Sequence, residues 1–335
     1  KEGRADLVAF GRQSLADPAM PKKALEERLE DMTPCIACLQ GCVANMYAGN
    51  PICCLTNPFL GHEAEPIAKT ENPKKVMVIG GGVAGLCAAF IAKEKGHEVT
   101  LYEAGDVLGG NMRLAAYPPG KGDITNMIRS YIHRCQKDGV KIVMNCEVTP
   151  ELIKEEKPDS VIIATGSKTL ILPIEGIDNP AIIHGSDLLD GKRPAGKKVL
   201  VVGGGMVGCE TAAFLGEQEH DVTVIEFRDT VGADVIHEHR VYLMKDFEDY
   251  GIKEITGAKV CKFYEDGVEY ETADGVRHET RGYDSVILSM GFRNYNPLEE
   301  KIKDLVPETH VIGDAIRARR ALDATKEAYD VASQI

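Results

Sequence analysis

Three groups of residues in this chain have the types and spacing to do chemistry. The first is a run of thiols. Residues 33 to 58, TPCIACLQGCVANMYAGNPICCLTNP, hold Cys35, Cys38, Cys42, Cys53 and Cys54, five of the ten cysteines. Thiols this dense serve disulfides, a zinc site or an iron–sulfur cluster. Three thiolates on one compact loop can take three corners of a cubane, and a fourth from a distance completes the set. Structural zinc more often uses two C-x2-C pairs. The second group is two glycine clusters, Gly80, Gly82, Gly85 and Gly203, Gly205, Gly208, each G-x-G-x-x-G. The first glycine permits a tight strand-to-helix turn, the second lets backbone approach a pyrophosphate, and the third lets helix and strand pack closely. The third group is Glu103 and Glu226, each 23 residues after the first glycine of its cluster. A carboxylate there accepts hydrogen bonds from adenosine ribose hydroxyls.

The elements that must position these residues occur twice. KVMVIGGGVAGLCAAFIAKEKGHEVTLYE begins at Lys75 and KVLVVGGGMVGCETAAFLGEQEHDVTVIE at Lys198, an offset of 123 residues without a gap. Each reads as an apolar strand, a glycine turn, a helix and a second strand ending in an acid, which is a βαβ unit. One such fingerprint is weak evidence; strand, helix and acid together, twice, predict two dinucleotide-binding folds. DSVIIATG (159–166) recurs as DSVILSMG (284–291), a buried strand of branched residues stopped by glycine. The chain then offers THVIGD, a strand running into Gly313-Asp314 and a long helix.

At 335 residues, 44% hydrophobic and 27% charged, the chain has the composition of a globular protein of two or three domains. A net charge of −13 argues against nucleic acid or an anionic membrane as partner. No apolar run nears the ~20 residues of a membrane span. No signal peptide is visible, and a cytoplasmic location is expected. The other cysteines, Cys87, Cys135, Cys146, Cys209 and Cys261, are scattered and read as small buried hydrophobes. The abrupt opening KEGRADLVAFGRQSLADP suggests a fragment whose N-terminal part is absent.

Two nucleotide folds, an ATG strand between them and a closing VIGD strand resemble the two-dinucleotide-binding flavoprotein reductases of the glutathione reductase type, over roughly residues 74 to 335. The resemblance implies FAD on the first fold. Gly80, Gly82, Gly85 and Glu103 would hold its ADP half, and Asp314, after Gly313, its ribitol. Gly110, Asn111 and Arg113 of LGGNMR, with Ala164, Thr165 and Gly166, would complete that site, Asn111 bonding the flavin diphosphate or ring edge. It implies NADH or NADPH on the second fold, held by Gly203, Gly205 and Gly208, with Glu210 facing the nicotinamide. Glu226 welcomes a 2′-hydroxyl and repels a 2′-phosphate, which favours NADH; Arg228 is the counterweight. One departure matters: no C-x2-C or C-x4-C follows residue 54, so no redox pair stands beside the flavin.

The C-x2-C-x3-C-x11-C spacing and the CLTNP tail resemble the iron–sulfur members of the old yellow enzyme family, of the 2,4-dienoyl-CoA reductase and 2-enoate reductase type. That implies a 4Fe–4S cluster on Cys35, Cys38, Cys42 and Cys54, with Cys53 spare. ADLVAFGRQSLADP resembles the eighth barrel strand of that family, which implies that Gly11 and Arg12 contact an FMN phosphate. Most of a (β/α)8 barrel, and the catalytic residues, would then precede Lys1. The expected organisation is α/β: a barrel tail at 1–32, the cluster segment at 33–66, the FAD domain at 67–190 and 289–335, and the NAD(H) domain at 191–288. The implied activity relays electrons from NADH to FAD to the cluster to FMN, which reduces the activated C=C bond of an unsaturated acid or acyl-CoA. The alternatives are an amine demethylase like trimethylamine dehydrogenase, passing electrons outward, and a stand-alone reductase module for a separate partner.

Overall fold

Lys75–Ile79 (KVMVI) and Lys198–Val202 (KVLVV) are buried along almost their whole length, the pattern of central strands covered on both faces. The computed structural model describes residues 3 to 335; Lys1 and Glu2, where the expected 1–32 segment begins, lie outside it. Each of these strands is the middle strand of a five-stranded parallel sheet. In the first, the order is Glu308–Val311, Ser160–Ile163, Lys75–Ile79, Glu98–Tyr102, Lys141–Val143. In the second it is Ile183–His184, Ser285–Leu288, Lys198–Val202, Asp221–Ile225, Lys253–Ile255. The Asp of each repeated DSV motif anchors its sheet: Asp159 accepts from the Lys75 amide and Asp284 from the Lys198 amide, both at 2.7 Å.

The helix after each glycine turn, Val83–Glu94 and Met206–Glu217, is rich in Ala and Gly and mostly buried. Small side chains let these helices lie close on their sheets. The repeat then breaks. Between the third strand and the DSV strand the first fold carries a helix, Pro150–Glu156. The second carries an antiparallel three-stranded sheet, Lys259–Tyr264, Gly267–Glu271 and Arg277–Thr280.

The chain forms two compact units. One holds the residues up to Arg113, Asp123–Ser167 and Asn294–Ile335; the other holds Leu114–Gly122 and Lys168–Arg293. The edges differ from the expected 190/191 and 288/289. Ile183–His184 pairs with Ser285–Leu288 of the second sheet, and Glu175 bridges Lys262 of the three-stranded sheet, so residues 168–190 belong to the second unit. Each unit has its own apolar core. Met77, Ile79, Tyr102, Val161 and Ile163 pack with Leu298 and Ile302 in the first, and Val199, Val201, Val224 and Ile287 with Leu215 and Phe247 in the second. Cys87, Cys135 and Cys209 are buried as expected, but Cys146 and Cys261 are only partly so. No helix among the described residues is long and apolar enough to cross a membrane.

Candidate functional site

In the first fold the three glycines have three separate physical reasons. Gly80 has φ +107°, and a Cβ on it would meet the Ala164 carbonyl at 2.3 Å, so the ATG strand end closes over this turn. A Cβ on Gly85 would stand 1.9 Å from the Gly80 carbonyl oxygen. Gly82 faces open space, with nothing within 4 Å. Two glycines are therefore packed against backbone and the middle one is exposed to an incoming phosphate, at the start of a helix whose free amides and dipole attract it. Glu103 accepts from the amides of Gly81 and Gly105, both at 2.7 Å, which fixes its carboxylate beside the turn. Gly110 passes against Gly82, its would-be Cβ 3.2 Å from the Gly82 Cα, and the Arg113 amide bonds back to the Gly110 carbonyl at 3.1 Å. Thr165 donates its hydroxyl to the Tyr295 carbonyl, and the Tyr295 amide returns a bond to Gly166.

Asp314 follows Gly313, whose φ is +63° and whose would-be Cβ presses on Ala84 at 3.1 Å in the first turn of the helix. The Ser167 hydroxyl donates to the Asp314 Oδ2 at 2.8 Å, and Asn111 Nδ2 lies 3.2 Å from that same hydroxyl. Ser167 thus ties the two expected flavin contacts together. Sequence reading missed it, because it follows the ATG motif and belongs to no fingerprint.

The second fold repeats the arrangement. Gly203 has φ +105° with a would-be Cβ 2.4 Å from the Ser289 carbonyl, and Gly208 would stand 1.8 Å from the Gly203 carbonyl oxygen. Glu226 accepts from Gly204 at 2.6 Å and from the Arg228 amide at 2.8 Å. Gly203, Gly205, Glu226, Arg228 and Asp234 line one cleft of about 230 Å³. Glu210 is buried on the helix and ion-paired with Lys121, which arrives on the Leu114–Gly122 segment. Lys121 carried no signal in the sequence, since 89 residues separate the pair.

Cys35, Cys38, Cys42, Cys53 and Cys54 line one pocket, with Arg12, Leu15, Ile36, Gly41 and Thr56. The loop that carries Cys35, Cys38 and Cys42 coils through two left-handed residues that are not glycine, Ala37 (φ 51°) and Leu39 (φ 56°). A non-glycine residue held in that region costs about 1–3 kcal/mol. Gln13 pins the loop's entry, donating to the Thr33 carbonyl at 2.9 Å and accepting from the Cys35 amide at 2.8 Å. The Leu55 carbonyl accepts from the buried Tyr131 hydroxyl at 3.0 Å, and Asn57 donates to Leu15 at 2.8 Å. The CLTNP tail is thereby fixed at both ends. Burial pushes the Cys38 thiol up to about 11, and the thiols that add to the rise are those of Cys54, Cys42 and Cys35. Cys53 has further contacts: Asn45 Nδ2 lies 3.5 Å from its sulfur, and its amide bonds the Gly41 carbonyl at 2.8 Å. Among the described residues no three thiols, acids or imidazoles converge as a single ion needs. Zinc wants its sulfurs about 2.3 Å from one point; a cubane, with an iron at each ligated corner, takes them from wider apart. The four thiols of Cys35, Cys38, Cys42 and Cys54 in one pocket lining are the donor chemistry a cluster would use. Arg12, expected at a flavin phosphate, lines this thiol pocket from the start of the helix Arg12–Ala16.

Comparison with known proteins accords with this geometry. The chain is 32% identical over 366 residues to a protein named metal reductase from Desulforamulus reducens, covering 99% of this chain and 54% of the relative. It is 33% identical over 337 residues to cinnamate reductase of Clostridium sporogenes, covering 99% and 50%. It superposes on the structure of a 2-naphthoyl-CoA reductase complex with a TM-score of 0.95 at 34% identity, over 100% of this chain and 51% of the other. The chain thus spans about half the length of these relatives. The model of one family, described as pyridine nucleotide-disulphide oxidoreductase, matches residues 74–312, the stretch that holds both glycine turns, Glu103 and Glu226. This chain belongs to the pyridine nucleotide-disulphide oxidoreductase family, an oxidoreductase fold for FAD and a pyridine nucleotide.

Proposed function

We propose that this chain is the electron-input part of a larger NADH-dependent flavin and iron–sulfur reductase of the old yellow enzyme type. Its substrate would carry an activated C=C bond, as an unsaturated acid or acyl-CoA. The observation that carries the reading is the thiol pocket: a family member without a redox cysteine pair after residue 54 has instead a pocket lined by Cys35, Cys38, Cys42 and Cys54 on its first unit. The relatives named cinnamate reductase and 2-naphthoyl-CoA reductase support the substrate class. When bound, FAD, a 4Fe–4S cluster and FMN would supply hydride acceptance, one-electron passage and hydride delivery.

The chain's own residues bind and orient. Gly82 opens the first helix to the FAD diphosphate, Glu103 takes its ribose, and Asp314, held by Ser167, takes its ribitol. Glu226 does for NADH what Glu103 does for FAD. The Glu210–Lys121 ion pair gives the buried acid on the nucleotide helix a countercharge. Cys35, Cys38, Cys42 and Cys54 would ligate the cluster. Gly11 and Arg12 remain the residues proposed for the FMN phosphate. Since Arg12 also lines the thiol pocket, one cation would serve both groups. The intact glycine geometry of the second fold favours electrons entering from NADH over the demethylase direction.

The test is anaerobic. The chain is loaded with FAD, and its cluster is rebuilt with iron and sulfide. It is then mixed with NADH and either a dye or cinnamate, and NADH absorbance is followed. Dye reduction is expected, about tenfold faster with NADH than NADPH because Glu226 repels a 2′-phosphate. Cinnamate alone should not consume NADH. Turnover of cinnamate without dye would place substrate chemistry in this chain and overturn the reading.

A further inference from the structure

The second dinucleotide fold keeps an anion where its ligand's phosphates belong. In the first fold Gly82, at the helix start, faces open space. Its counterpart Gly205 faces a carboxylate: a Cβ there would stand 3.4 Å from Asp234 Oδ2. The amide of Met206, first residue of the helix Met206–Glu217, donates to Asp234 Oδ1 at 2.8 Å.

The internal repeat shows what is unusual about this. The offset that carries Lys75 to Lys198 carries Asn111 to Asp234. The backbone keeps the register: the Gly109 amide bonds the Gly81 carbonyl at 2.9 Å, and the Gly232 amide bonds the Gly204 carbonyl at 2.7 Å. The same loop therefore presents a neutral amide in one fold and a carboxylate in the other. Asn111 turns to Ser167, whereas Asp234 turns onto the helix start.

We propose that Asp234 is a built-in stand-in for the dinucleotide pyrophosphate. It caps the helix while the nucleotide is absent and is displaced when NADH seats its phosphates. It thereby lowers nucleotide affinity and speeds release. The inference rests on the second fold being the NADH site. Its physical basis is that the same amides and the same helix dipole cannot satisfy two anions at once. Binding becomes an exchange of one anion for another, and the carboxylate is ready to retake the amide when the nucleotide leaves. The exchange is local, since Asp234 lies on the loop after Gly232 (φ +62°) that forms one wall of the nucleotide cleft.

Equilibrium titration of the FAD-loaded chain with NADH and with ADP-ribose tests this without turnover. ADP-ribose carries the pyrophosphate and lacks the nicotinamide. Asp234→Asn keeps the shape and the hydrogen-bond acceptor but removes the charge. It should bind both ligands about fivefold to tenfold tighter at low salt, and the margin should shrink as salt screens the repulsion. Adenosine, with no phosphate, should bind both proteins alike. The reciprocal change Asn111→Asp should loosen FAD by a similar factor. Equal or weaker ADP-ribose binding by Asp234→Asn overturns the proposal. Asp234→Ala guards against a folding artefact: with unchanged FAD content it too should bind ADP-ribose more tightly, and failure to do so counts against the plug. If neither wild type nor variants bind NADH while all hold FAD, the assignment of the second fold to NADH fails, and the inference with it.

Discussion

Cys54→Ala is expected to leave the thiol pocket without a stable cluster, whereas Cys53→Ala should keep about four irons per chain after anaerobic reconstitution. The two cysteines are neighbours in sequence, and both line the pocket, so sequence proximity cannot separate them. Their surroundings do. Cys54 raises the half-buried Cys38 thiol, together with Cys42 and Cys35, and its sulfur lies 3.3 Å from the Thr56 hydroxyl. Cys53 is engaged with Asn45 and with the backbone of Gly41, which has no room for a side chain: a Cβ there would stand 2.5 Å from the Cys53 carbonyl oxygen. Cys53 thus secures the distant end of the loop through its backbone, which alanine preserves. Loss of Cys54 removes one of the four proposed ligands. Iron and sulfide analysis with visible absorbance reads the outcome. Retention of iron by Cys54→Ala with loss in Cys53→Ala would reverse the ligand assignment, and bound zinc would end the relay.

The second large effect concerns the packed glycines. Gly208→Ala should abolish NADH-dependent dye reduction, at least a hundredfold, while FAD content stays near wild type. The added Cβ would lie 1.8 Å from the Gly203 carbonyl oxygen, a backbone atom that cannot swing aside. Relief requires the helix to lift off its strand, which spoils the turn that receives the phosphates and costs about 3 kcal/mol or more. Gly85→Ala is the mirror experiment, with a contact of 1.9 Å to Gly80, and should lose FAD instead. Gly82→Ala differs in kind. Nothing lies within 4 Å of its would-be Cβ, so the fold should survive and only the diphosphate should be crowded. Fluorescence of released FAD and NADH titration separate the three. Full NADH affinity in Gly208→Ala would show that the turn has slack the geometry does not allow.

These glycines were readable in the sequence because their role is local. A turn, a close approach and a packing contact all fall within six residues, and the repeat from Lys75 to Lys198 states them twice. Glu103 and Glu226 were readable for the same reason, each ending the strand that pairs beside its turn. What stayed hidden depends on approach between segments distant in sequence. Ser167 matters because Asp314 arrives beside it from 147 residues away. Lys121 matters because Glu210, in the same unit, arrives beside it from 89 residues away. Arg12 was assigned to a phosphate by family likeness, and only the folded loop shows it beside the thiols as well. Asp234 is the instructive case. It lies outside the fingerprint, but the repeat pairs it with Asn111, and comparing the two copies beyond their acids would have found the change of charge. The edges at 167/168 and 293/294 escaped because strand Ile183–His184 has only two residues, too short to show a period.

That each unit carries its own apolar core bears on how the molecule melts. In scanning calorimetry, one cooperative transition is expected for each core. A ligand held by one unit raises only that unit's midpoint: at a hundred times its dissociation constant it adds about 2.7 kcal/mol, or roughly 5–10 °C. FAD should therefore move one endotherm and ADP-ribose the other. The thermogram becomes a map of which half holds which nucleotide, legible in a protein with no turnover at all.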